Sequence, residues 1–305
     1  MPDEMMNTKE VAGYLGIHEK QVYALIKTGR MPATRVTGKW IFPRKVIEGW
    51  IEANARSGLE AARQKSSRIS GALLASGSND PVLDVLHTCL RKTHPELFIF
   101  SANTGSMEGL AALEKGFTDI AWSHLFDPET GEYNIPYLEK QVPHVKAVVV
   151  NLFFRELGFV TAKGNPVHIR KFEDLARKGV RFINRQAGSG TRLLLDHHLA
   201  KSGIPSDRVA GYNDDVSTHI EVGLAVLSGG ADVGIATAAV SNLLGLDFVS
   251  ITRERFDMIC DRSVFFQKEV QALMEALNGD LFRKRIEKLG SYDFKSAGRV
   301  LYVKP

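Results

Sequence analysis

Asn184-Arg-Gln-Ala-Gly-Ser-Gly-Thr191 is the stretch that decides how this 305-residue chain reads. Ahead of it, Val180–Asn184 is an apolar run with strand character. Behind it, Gly190–Lys201 carries apolar residues at helical spacing. A turn rich in glycine and hydroxyls between a strand and a helix is an α/β junction. The first N–H groups of such a helix lack partners, and with the positive dipole end they attract anions. The spacing departs from Gly-x4-Gly-Lys-Ser/Thr, which disfavours a nucleotide P-loop. A Gly-x-Ser-x-Gly nucleophile elbow is also missing.

Outward from this stretch the same kind of junction recurs. Ala75-Ser-Gly-Ser-Asn79, Asn103-Thr-Gly-Ser106 and Val216-Ser-Thr-His219 each precede a helical pattern. Strands are expected at Ile69–Ala75, Leu97–Ser101, Asp119–Ser123, Val145–Phe153, Leu157–Ala162, Val180–Asn184, Ala231–Ala236, Phe248–Thr252 and Asp257–Cys260. Between and after them, helical patterns cover Pro81–Lys92, Ser106–Lys115, Phe172–Arg177, Gly190–Lys201, Thr218–Leu227, Lys268–Asn278 and Leu281–Lys288. That alternation predicts an α/β fold with a parallel-dominated sheet. In open α/β sheets, ligands sit at the carboxyl ends of the strands, where these junctions fall.

The candidate ligand set is therefore Ser78, Thr104, Ser106, Ser123, Arg185, Ser189, Gly190, Thr191 and Thr218, most of them hydroxyl donors. A lining made only of donors suits molybdate or tungstate, dianions with no proton at neutral pH. Monohydrogen phosphate brings a proton and asks for an acceptor as well. The sequence leaves open whether Arg185, Arg192, His124 and His219 face the ligand; Arg192 can instead pair with Asp196 one turn on. His87 and the neighbours His197 and His198 lack zinc-ligand spacing, and no catalytic group stands out. Neither a metal, a resident cofactor nor an enzymatic activity is expected.

The charge is uneven. Residues 1–70 hold 12 Lys/Arg against 7 Asp/Glu, a net +5, whereas the remainder is close to neutral at −1. A small basic head suits a polyanion. Two cysteines, Cys89 and Cys260, cannot build a disulfide framework and suit a reducing compartment. No apolar run approaches the roughly 18 residues of a membrane span, and Met1–Met5 lacks signal-peptide regions. A cytoplasmic protein without membrane partners is the expectation.

Within the head, Asn7 and Glu10 have capping-box spacing, and a short helix follows with Val11, Ala12, Tyr14 and Leu15 on its apolar face. Gly16-Ile17 turns the chain into a second helix, His18–Lys27, with Val22, Leu25 and Ile26 inward. Two strands, Ala33–Val36 and Lys39–Phe42, meet at Thr37-Gly38. A third helix from Arg44 to about Asn54 should turn Val46, Ile47, Trp50 and Ile51 inward. Tyr14, Tyr23, Trp40 and Trp50 are read as core.

On Thr8-Lys-Glu-Val-Ala12, Val22-Tyr23, Gly29-Arg-Met-Pro32, Val36-Thr-Gly-Lys-Trp40 and Ile47-Glu-Gly-Trp50, residues 6–53 resemble the excisionase-type, MerR-like winged helix-turn-helix head. The resemblance implies double-stranded DNA as partner, with the second helix in the major groove. Exposed positions then nominate His18, Lys20, Gln21 and Lys27 on that helix, and Arg35 and Lys39 on the wing. On Gly77-Ser-Asn-Asp-Pro81, Asp127–Asn134, Arg155-Glu-Leu-Gly158, Gly164-Asn-Pro166 and Asn184–Arg192, residues 71–265 resemble a cytoplasmic periplasmic-binding-protein-like (molybdate/oxyanion-type) substrate-binding domain. That resemblance implies a type 2 two-lobed fold closing on a small anionic ligand, molybdate or tungstate first.

The expected organisation is a winged helix-turn-helix over residues 1–55, a linker over 56–70 and a ligand-sensing body over 71–305. Lobe 1 would span about 71–160 and 246–305, and lobe 2 about 161–245. The expected function is a homodimeric one-component transcriptional regulator. An enzyme or binding protein for a larger phosphorylated or pterin-type anion, and an excisionase-like architectural protein, are the alternatives.

Overall fold

The computed structural model describes residues 5–53 and 71–305, so the linker at 56–70 and the end of the third helix at Asn54 lie outside the described residues. The chain divides into two units, Met1–Ile69 and Ser70–Pro305.

In the first unit, Asn7 caps the helix Thr8–Leu15. Its side chain accepts from the Lys9 and Glu10 N–H groups, and Glu10 reaches back to the Asn7 N–H. Gly16 ends that helix in the left-handed region. The helix Glu19–Lys27 follows, then strands Thr34–Val36 and Lys39–Pro43 joined at Thr37-Gly38, both with positive φ as a tight hairpin turn requires. A short strand that the sequence pattern does not announce, Met5–Met6, pairs with Phe42 and Pro43. Residues 44–53 are helical. Val11, Val22, Met31, Phe42 and Ile47 form the small core. Val46 and Ile51 point outward instead of inward, as do Tyr14 and Tyr23, at 42% and 49% exposed. Trp40 and Trp50 pack against the core as half-buried lids, the Trp50 indole donating to the Arg30 carbonyl.

The second unit is built on one ten-stranded mixed sheet. Its main path runs Phe98–Asn103, Ala72–Gly77, Ile120–Ser123, Asp247–Asp261, Ala147–Thr161, Val233–Thr237, Phe182–Arg185, Asp215–Val216. Each end is parallel, as the alternation predicts, but the centre is antiparallel. The centre consists of two 15-residue strands, Ala147–Thr161 and Asp247–Asp261. Sequence periodicity cuts each of them in two, because Arg155-Glu156 and Arg253-Glu254 interrupt the apolar runs. In the structure these charged residues are paired in register, Arg155 opposite Glu254 and Glu156 opposite Arg253. Tyr292–Asp293 and Val300–Val303 bring the C-terminal segment back along the first long strand.

The hydrophobic cores change over at this charged level. Val148, Leu152, Phe153, Phe256 and Met258 belong to the first lobe, whereas Leu157 and Phe159 belong to the second, with Val249 and Ile251 packed on it. The changeover falls near residues 155 and 254. Phe172–Ala176 is a 3-10 turn, not an α-helix.

One close approach fixes how a helix of the first lobe seats on its sheet. A Cβ on Gly109, in the helix Ser106–Glu114, would lie 2.6 Å from the Gly77 Cα, so helix and strand touch backbone to backbone. Gly109→Ala is expected to cost about 1–3 kcal/mol by overpacking. Gly13→Ala, in open space within a head helix, should gain up to about 1 kcal/mol. Chemical denaturation of the two variants checks both signs.

Candidate functional site

All four hydroxyl-rich junctions open helices. Asp80 caps Pro81–Thr93, Gly105 precedes Ser106–Glu114, Ser189 caps Gly190–Lys201 and Thr218 caps His219–Leu227. The first two belong to the first lobe and the last two to the second. They meet: the Met107 N–H donates to the Gly188 carbonyl at 3.2 Å. A Cβ on Gly190 would stand 2.7 Å from the His124 ring, so only glycine lets this helix start approach that imidazole.

Arg155 lies at the centre, on the first long strand and fully buried. Its Nη1 donates to Asp80 Oδ2 at 2.6 Å and to the Asn79 carbonyl; its Nε donates to Glu254 Oε1 at 2.6 Å. Nη2 reaches His219 Nε2 at 3.3 Å. Burial alone would lower the guanidinium pKa, but the two carboxylates raise it, so the cation stays charged. Glu254 also takes His124 Nδ1 at 3.0 Å. Burial pushes its carboxyl up, and His124 and Arg155 overcome that, leaving it down at about 2. Asp80 is fully committed: Oδ1 accepts from the Val82 N–H and the Tyr292 hydroxyl, Oδ2 from Arg155.

Around this ion-paired hub stands a set of buried polar atoms with no protein partner. It includes the hydroxyls of Ser78, Thr104, Ser123 and Thr191, together with Arg185 Nη1, His124 Nε2 and His219 Nδ1. Buried groups of this kind are ordinarily satisfied, which makes these residues the candidate site among the described residues. Arg185 holds its place through the carbonyls of Val216 and Ser217. Burial and the nearby Arg155 charge pull its pKa down to about 10, and it remains a cation at neutral pH with one N–H group to spare.

The other nominated residues divide. Ser106 and Ser189 are buried, and each oxygen already accepts an N–H, from His124 and Arg192 respectively; the hydroxyl protons stay free to donate. Gly190 is the close approach described above. Thr218 is not part of the unpartnered set: its hydroxyl accepts from the Glu221 N–H and donates to the Glu221 carboxylate. Arg192 braces the second lobe, bonded to Asp196 and stacked over Tyr212.

In the head, His18, Lys20, Gln21, Lys27, Arg35 and Lys39 are all exposed. Gln21 is less free than its position suggests, because its Oε1 accepts the His18 N–H and stabilises the helix start. Lys9 and Tyr23 line one groove with Arg35 and Lys39. Sequence reasoning assigned Tyr23 to the core. Its position directly after buried Val22, about 100° round the helix, already turned it away.

A helix-turn-helix domain model matches residues 5–55, and a model described as the PBP superfamily domain matches residues 88–278. The uncharacterized protein YvgK of Bacillus subtilis (strain 168) is 31% identical over 300 residues, 96% of each chain. Among solved structures, a substrate-binding protein of Clostridium perfringens with bound phosphate aligns over 73% of this chain and 100% of its own, with 13% identity and a TM-score of 0.55. A tungstate ABC transporter protein of Geobacter sulfurreducens aligns over 71% and 97%, with 16% identity and a TM-score of 0.52. At such identities the two structures speak for the fold alone.

Burial lowers the pKa of His124 and, more strongly, of His219 from the ordinary 6.5; Arg155 adds to both shifts, and Glu254 opposes at His124. The unfolded chain therefore takes up protons that the folded chain refuses. The resulting stability is present above about pH 6.5 and is lost as the pH falls below it. Glu254 acts with the same sign lower down, from 4.5 towards 2. The melting temperature of the body should fall between pH 7.5 and 5, with a shallower slope in His219→Gln. A flat profile in the wild type contradicts this assignment.

Proposed function

Because the chain belongs to the PBP superfamily and carries a helix-turn-helix domain ahead of that fold, we propose that it is a one-component transcriptional regulator whose body senses a small oxyanion. The carrying observation is the set of buried, unpartnered groups where the lobes meet, offering four hydroxyls and the spare N–H of a buried cation. Such a lining suits a compact anion stripped of its water, because each donor lacks a competing protein acceptor. Molybdate, tungstate and phosphate are all small enough. Proteins of this fold with bound phosphate and from a tungstate transporter are among its structural neighbours, so the fold does not choose between them. The donors alone favour molybdate and tungstate.

In this reading the head docks its second helix in the major groove, with Arg35 and Lys39 of the wing on phosphates. Two heads in a homodimer read the two halves of an operator, and closure of the body on its anion shifts their spacing. Gene regulation of this kind operates in the cytoplasm and needs no resident cofactor or catalytic group.

Calorimetry on the full chain tests the sensing half. At least one of molybdate, tungstate, phosphate and sulfate should bind below millimolar concentration. Each hydroxyl contributes about 1.5–3 kcal/mol to a charged ligand, so the double variant Ser78→Ala with Thr191→Ala should bind a hundredfold or more weakly. An unchanged affinity in the double variant would contradict the site. For the head, affinity for duplex DNA should fall steeply with salt, and Lys39→Ala should reduce the salt slope by about 1. Salt-independent binding would remove the phosphate-contact picture.

A further inference from the structure

We infer that His124 is a hydrogen-bond acceptor inside the cleft, and that it selects an oxyanion carrying a proton at neutral pH, of the monohydrogen phosphate class. The inference rests on the oxyanion reading of the cleft given above.

The two histidines of the cleft have opposite roles, and their partners dictate which is which. Glu254 is ionised and accepts only, so His124 Nδ1, 3.0 Å from it, carries the proton. Neutral His124 then has a bare lone pair on Nε2. The guanidinium of Arg155 donates only, so His219 Nε2 is the acceptor of that pair and Nδ1 carries the proton. His219 therefore presents a donor and His124 an acceptor, both buried and without a protein partner. Their rings stand 6.4 Å apart. The His124 ring also lies against Gly190, between Ser189 and Thr191 in the chain.

The rest of the lining does not discriminate. Hydroxyls of Ser78, Ser123 and Thr191 rotate and serve either role, and Arg185 Nη1 donates to any oxyanion. Neutral His124 Nε2 cannot donate. Against sulfate, molybdate or tungstate it sets lone pair against lone pair, in a space where water is excluded. Against monohydrogen phosphate or arsenate it receives the acidic hydrogen. The neighbouring acceptors Asp80 and His219 Nε2 are already engaged: Asp80 by Arg155, Tyr292 and the Val82 N–H, His219 Nε2 by Arg155.

A fully deprotonated anion has one way in, which is to protonate His124 as it binds. The groups facing that ring are Glu254 on the neighbouring long strand, Arg155 on the long strand beyond it, Arg185 from the second lobe and the neutral His219 ring. Proton uptake on binding is therefore the signature that separates the two ligand classes.

Calorimetry of the full chain with phosphate, arsenate, sulfate and molybdate, each in two buffers of different ionisation enthalpy, reads both affinity and protons. Phosphate and arsenate should bind about ten to a hundred times more tightly than sulfate and molybdate at pH 8, with no proton taken up by the protein. Sulfate and molybdate should take up about one proton, their affinity rising as the pH falls by up to tenfold per unit. His124→Phe should abolish the preference by weakening phosphate and arsenate, and it should remove the proton uptake and the pH dependence of sulfate and molybdate binding. If that variant fails to fold, the proton count on the wild type still decides. Equal binding of all four without proton uptake overturns the role of His124 and leaves the oxyanion site standing. Failure of all four to bind below millimolar concentration removes the oxyanion reading, and this inference with it.

Discussion

One buried cation organises the body. Arg155 sits where the two long strands pass from one lobe to the other, and it is bonded to Asp80 from the first lobe and Glu254 from the facing strand. A guanidinium in a water-free interior carries a desolvation cost of several kcal/mol, offset only when its N–H groups are paired in good geometry. Here it bonds to two carboxylates, one carbonyl and one imidazole nitrogen. Removing either carboxylate would leave an uncompensated charge. Residues from four separate chain segments are thereby held in one place: the helix start at Asp80, both long strands and the helix start at His219. The C-terminal segment joins through Tyr292, whose hydroxyl donates to Asp80.

The hub also settles the electrostatics of the cleft around it. Arg155 is balanced by Asp80 and Glu254, which leaves Arg185 as the cation with a spare donor and both histidines neutral. On the proposed reading, an anion would meet Arg185 as the cation with a spare donor among the described residues, N–H groups and hydroxyls at helix starts from both lobes, and two neutral imidazoles. Because both lobes supply part of the candidate lining, the proposed regulator would couple ligand affinity to lobe closure in a single equilibrium.

The sequence made much of this legible, and the exceptions have physical reasons. Gly190–Lys201 and Lys268–Asn278 appear with their expected bounds, the first because Ser189 caps it and the second because Val270, Leu273, Ala276 and Leu277 form a continuous buried face. All four hydroxyl-rich junctions open helices, since hydroxyls and glycines at a strand end have few other uses. Periodicity divides the two long strands into four short ones at Arg155-Glu156 and Arg253-Glu254. Charge there is paired across the two strands, with Arg155 and Glu254 buried, so the local rule of apolar continuity fails at that level. The Thr218 hydroxyl was nominated by type, but Glu221 three residues on satisfies it. The roles of His124 and His219 depend on partners 130 and 64 residues away, and no local pattern encodes those. In the head, Tyr14 and Tyr23 were placed inside because aromatics are needed there, whereas Phe42, Ile47 and Met31 suffice.

Coupling between the two units is the central claim, and DNA binding by the full chain as a function of anion concentration measures it most directly. With duplex fragments selected from genomic DNA and followed by fluorescence anisotropy at fixed ionic strength, phosphate should change the affinity severalfold. The half-effect should fall at the concentration that half-saturates the body by calorimetry, and the change should vanish in the Ser78→Ala, Thr191→Ala double variant. A DNA affinity that stays the same while the body passes from empty to saturated would contradict the account.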